Sequence, residues 1–152
     1  MEKIRIVIDE GTLELTSLRQ VSGVIYVQLL EHPFPSQGWH DLCASVLSMW
    51  LFSMNRYLLG LDETVTLYFM DGDYALKLIH QGNQQTIVRF MEPNGVCVMK
   101  REIDISYFAG QMLVASAKIM DHFPQNQQIR NIREIAEQAD ALRDTLRTIN
   151  AR

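Results

Sequence analysis

Residues 63–101 alternate apolar and polar side chains in four blocks separated by short turn signals, and few folds accommodate that pattern. Residues 63–70 (ETVTLYFM) set Val65, Leu67 and Phe69 on one side and Thr64, Thr66 and Tyr68 on the other. That is the period of a half-buried strand. Asp71-Gly72-Asp73 follows as a tight turn, since glycine supplies positive φ and aspartate tolerates it. Residues 74–80 return as its partner, Gln81-Gly82-Asn83 turns again, and residues 85–91 form a third block. Asn94-Gly95 is a hairpin signal before residues 96–101. Consecutive strands joined this tightly pair with their neighbours, so an antiparallel meander is expected.

Ahead of the meander, residues 34–60 carry Trp39, Leu42, Cys43, Val46, Trp50, Met54, Tyr57 and Leu61 at helical spacing. Around Val46–Phe52 the run is apolar on nearly every face, as expected for a helix covered from more than one side. Pro33 and Pro35 keep the chain extended before it, and Gly60 gives a natural stop. The uninterrupted apolar run is too short for a bilayer, and Asn55 and Arg56 follow at once, so no membrane span is expected. Residues 3–9 alternate through Ile4, Ile6 and Ile8, Glu10-Gly11 reads as a turn, and residues 12–17 read as a second short strand. Residues 21–30 are β-branched and aromatic and read as a third. Residues 103–123 revert to helical period up to Pro124. Residues 126–152 form an amphipathic helix, with Arg130–Glu134 and Arg133–Glu137 spaced four apart. Its short seam favours docking within the chain over a coiled-coil dimer.

The expected architecture is a single α+β domain over residues 1–152. One antiparallel sheet is covered by a long central helix and a C-terminal helical pair. A hydrophobic share of 47% with 21% charged residues fits a globular chain and argues against disorder. The net charge of −4 argues against a general nucleic-acid binder, which would need a basic face. Cys43 and Cys97 lie in apolar surroundings without CxxC spacing, so two buried thiols are expected rather than a disulfide or a metal site. The opening residues lack a signal-peptide pattern, which points to a cytoplasmic protein.

No residues assemble into a catalytic signature: GxSxG, the P-loop, GxGxxG and HExxH are all missing. His32, His40, His80 and His122 are scattered, and no cofactor or metal set is read from them. His40-Asp41 is adjacent in sequence, but neighbouring helical residues do not face each other, and Asp41 suits a helix N-terminus. Ser45, Ser48 and Ser53 read as small packing residues. Asp62, Glu63, Asp71 and Asp73 form the most concentrated acidic group. A solvated turn is the plain reading. The functional one is a negative patch that meets lysines and arginines on a partner.

The succession FPSQGWHDLCASVLSMWLFSM, then YFMDGDYALKL, then a further strand pair and two terminal helices, resembles small bacterial immunity proteins. These are the cytoplasmic proteins encoded beside polymorphic or contact-dependent growth-inhibition toxins. The likeness of pattern runs over residues 26–150. It implies a protein that is not an enzyme and that covers the active site of a cognate toxin domain, often a nuclease. Asp71, Asp73, Asp62 and Glu63 are then the candidate contacts, with no cofactor and no direct binding of nucleic acid or membrane. Two alternatives stay open. One is a small enzyme or ligand-binding protein with a pocket between central helix and sheet, near His40 and Tyr57. The other is a homodimer that shares the apolar helix.

Overall fold

The computed structural model describes residues 1–123 and 128–151. The elements run β1 (Arg5–Leu15), β2 (Val21–Leu29), β3 (His32–Phe34), β4 (His40–Asp41), α1 (Cys43–Leu58), β5 (Thr64–Tyr68), β6 (Ala75–Gln81), β7 (Gln85–Glu92), β8 (Val96–Ile103), α2 (Ile105–His122) and α3 (Arg130–Asn150). The fold is α+β, as the sequence implies. Pro124, Asn126 and Arg152, the expected helix stop and the outer bounds of the last helix, lie outside the described residues.

The meander is present in full as one sheet in the order β5-β6-β7-β8, every pair antiparallel. The expected single sheet is, however, two. A second antiparallel sheet runs β1-β2-β3, with β4 also paired to β2. Glu10-Gly11 does not turn the chain back. Residues 3–9 and 12–17 belong largely to one strand, whose register advances from Asp9↔Val24 to Glu14↔Ser22 through an irregularity. The Thr12 hydroxyl holds that kink together, donating to the Asp9 carbonyl at 2.6 Å and accepting from the Val24 N–H at 2.9 Å.

Helix α1 starts nine residues later than the 34–60 reading, because residues 32–41 form two short edge strands on β2. Trp39 and Leu42 share helical spacing with Val46 but precede the helix. Its end is as expected. Gly60 sits at φ +75°, and the Gly60 and Leu61 N–H groups donate to the Tyr57 and Arg56 carbonyls. Those two bonds close a Schellman motif. The helix buries Cys43, Ala44, Val46, Leu47, Trp50, Leu51, Met54 and Tyr57, and it touches β2, β5, α2 and α3. It is the axle of the molecule. Asn55 bonds to Thr145 and Asn131 Nδ2 donates to Ser45 Oγ at 3.3 Å, two polar links between α1 and α3.

An aromatic seam joins the two sheets. The Phe34 ring packs edge-on against Phe69, Tyr74 and Phe90 at 5.2–6.1 Å between centroids. Trp39 meets Tyr74 at 5.1 Å, and Trp50 meets Phe69 at 5.1 Å and Phe108 at 6.3 Å. Edge-to-face contacts of this kind add to simple burial. On each of two edge strands one backbone group is met by a helix side chain. Gln111 Oε1 on α2 accepts from the Ile6 N–H on β1 at 3.1 Å. Trp50 Nε1 on α1 donates to the Tyr68 carbonyl on β5 at 2.8 Å.

Candidate protein-binding surface

Asp41 organises the region around the acidic turn. It ends β4, is 4% exposed, and accepts four hydrogen bonds. Oδ1 takes the Leu42 N–H at 2.7 Å. Oδ2 takes Trp39 Nε1 at 3.0 Å, the Met70 N–H at 2.9 Å and the Asp71 N–H at 3.1 Å. A buried carboxylate is tolerated when its lone pairs are filled in this way. The sequence reading of Asp41 as a first-turn helix residue is corrected: it pins the Asp71-Gly72-Asp73 turn to the other sheet. The turn itself points outward, with Asp71 and Asp73 both exposed.

The four acidic candidates do not form one patch. Asp62 and Glu63 precede β5, whereas Asp71 and Asp73 follow it. At about 3.3 Å per residue the two pairs stand roughly 25 Å apart. Asp62 is also partly neutralised. Its Oδ2 accepts from Arg56 Nε at 2.7 Å, and that hydrogen bond holds its carboxyl below the usual carboxylate range.

Between those two ends runs an apolar groove of about 410 Å³ lined from α1, β5 and α3, with Met49, Phe52, Ser53, Thr66, Tyr68 and Gln138 on its walls. Met49, Phe52, Tyr68 and, just beyond, Met70 are 41–56% exposed. Arg56 lies 6.0 Å over the Phe52 ring. Nothing in the sequence sorted these aromatics and methionines from the core. A heavier weighting of Phe52 and Met49, which fall off the main helical stripe, would have found them. Strand β5 is an edge strand. The Glu63 carbonyl and Phe69 N–H bond toward β6, so by alternation those of Thr64 and Thr66 face the open side.

A second hollow of about 710 Å³ lies where Tyr57, Asp62, Glu63, His80, Thr86 and Asp104 approach one another. It is the pocket between helix and sheet, but with His80 in place of the expected His40, which sits exposed on β4. The Tyr57 and Thr86 hydroxyls share a 2.6 Å hydrogen bond in its floor, and burial pushes the Tyr57 phenol up. Asp104 accepts from the Tyr107 N–H as the cap of α2, and Asp62 is held by Arg56. The polar groups are therefore largely engaged with their own chain rather than convergent on an open point. Among the described residues no three His, Cys, Asp or Glu side chains gather as a metal site. No helix of the described residues is long and apolar enough to cross a membrane.

The thiols divide. Cys43 is fully buried, whereas Cys97 is exposed on β8, contrary to the expectation of two buried thiols. Comparison with models of protein families, with curated proteins and with solved structures found no match. The class the fold defines is an α+β domain of two antiparallel sheets around one buried helix.

Proposed function

We propose that this protein works by binding another protein, as an immunity-type inhibitor that covers a cognate toxin domain. The contact surface is the α1–β5 groove together with the Asp71–Asp73 turn. One observation carries the reading: an exposed run of Met49, Phe52, Tyr68 and Met70 leads directly into an acidic turn that a buried carboxylate holds in place. Apolar and aromatic anchors beside fixed charge are the composition of a binding hot spot with a steering rim. The sign of the charge suits a partner with a cationic active-site surround, such as a nuclease that holds phosphate.

The alternative enzyme reading has less support, because Tyr57 and Thr86 bond to each other while Asp62 and Asp104 are held by Arg56 and the Tyr107 N–H. The shared-helix dimer has less support as well, since α1 buries its main apolar stripe against its own chain and leaves only Met49 and Phe52 exposed among its large apolar side chains. The test is to express the chain with the product of its neighbouring open reading frame and measure binding and protection of cells. Phe52→Ala should weaken the complex by about 1–3 kcal/mol through faster dissociation. Asp71→Lys with Asp73→Lys should slow association, most of all at low salt. Association rates that ignore both charge reversal and salt would sink the acidic-turn contact, and failure to bind or protect would sink the immunity reading.

A further inference from the structure

The outward face of the β5–β8 sheet carries three cations in a single cross-strand row. Register places Thr66, Lys77, Arg89 and Lys100 directly opposite one another across the four strands. Opposed residues of an antiparallel sheet point to the same face, and neighbouring strands lie about 4.8 Å apart. Three cations thus stand side by side over roughly 10 Å. Like charges directly opposite are destabilising, yet among the described residues no carboxylate comes within ion-pairing distance of the three. Arg101, on the other side of β8, does have a partner, with its Nε 3.7 Å from Glu2 Oε2. The nearest acid on the outward face, Glu102, lies one row over, opposite Ile87. Apolar side chains flank the row: Ile79 and Ile87 on one side, Met91 and the exposed Tyr68 on the other.

We propose that this face binds an acidic amphipathic helix of a partner protein, laid across the strands. The spacing fits. An α-helix advances about 5.4 Å per turn, close to the strand separation of about 4.8 Å. Carboxylates at i, i+4 and i+7 therefore meet Lys77, Arg89 and Lys100 in turn, while apolar residues beside them settle on Ile79, Ile87 and Met91. A second copy related by a two-fold axis is the wrong occupant, because the row would face itself. A nucleic acid is the weaker fit: the chain carries a net −4, and the face offers three cations with a single aromatic ring. The surface adjoins the proposed toxin contact at Thr66 and Tyr68, but its charge is of opposite sign and stands on β6, β7 and β8.

The probe is a labelled synthetic helix with glutamate at i, i+4 and i+7 flanked by leucines, titrated by fluorescence anisotropy at low and at moderate salt. Saturable binding is expected, weakened by salt, and lost when the glutamates are replaced by lysines. Lys77→Gln/Arg89→Gln/Lys100→Gln should lower the affinity by about tenfold or more. Its urea midpoint should be unchanged or higher, since the replaced charges repel one another. Asp71→Asn/Asp73→Asn should leave the peptide affinity unaltered, which separates this surface from the toxin contact. The proposal is overturned by a peptide that does not saturate, by equal affinity in the triple variant, or by tighter binding of a single-stranded 15-mer oligonucleotide than of the peptide.

Discussion

Asp41 shows how one side chain sets the geometry of a surface it never reaches. Its carboxylate joins β4, the α1 entry and the acidic turn through four accepted bonds. Asp41→Ala leaves buried donors empty and should cost about 2–4 kcal/mol in urea unfolding, with Asp71 and Asp73 freed from their present position. A loss under ~1 kcal/mol would mean that water replaces the carboxylate without strain. Sequence inspection could not find this role: an aspartate before a helical pattern looks like an N-terminal charge, and its distant partners are two backbone amides. The thiols make a second residue-scale case. Burial pushes the Cys43 thiol up to about 12, so it stays protonated and unreactive at neutral pH. Iodoacetamide should add one label to the native protein, at Cys97, and a second only after denaturation, as read by intact mass. Two labels on the native chain would contradict the burial of Cys43.

Among the elements, those with explicit turn chemistry were legible. Asp71-Gly72-Asp73, Gln81-Gly82-Asn83 and Asn94-Gly95 fix where the meander reverses, and Asn94 and Gly95 do adopt positive φ. Helices α2 and α3 declared themselves by their stripes. Boundaries set by pairing at a distance were not legible. Trp39 and Leu42 keep helical spacing by coincidence, while residues 32–41 are drawn into strands by β2 and by the aromatic seam. Glu10-Gly11 reads as a turn, yet Thr12 lets the strand continue through it. The helix stop offers a direct check. Gly60→Ala forces a Cβ into φ +75° and should destabilise the protein by about 1 kcal/mol, measured by chemical unfolding. No change would show that the Schellman turn relaxes at no cost.

At the scale of the whole molecule, alternation announces strands but not which strands share a sheet, and so one sheet was expected where two exist. The acidic group divides into two pairs for a related reason: closeness in sequence across a strand is distance in space. Two groups make stability fall at alkaline pH. The folded pKa values of Cys43 and Tyr57 are both raised by burial. Their contribution is full below the unfolded values near pH 9 and 10, and is lost as pH rises toward the folded ones. The urea midpoint should therefore drop between pH 9 and pH 10.5, and Cys43→Ala should flatten the drop. A midpoint constant over that interval would remove both groups from the pH dependence.

Gln111 and Trp50 stopper the β1 and β5 margins, and they thereby decide how this protein would stick to itself. On the meander, the β8 border is met by Glu2 only at its C-terminal end, and at its other end Val96, Cys97 and Val98 lie exposed. Crowding or oxidation would weld chains first along that border, with Cys97 as the rivet.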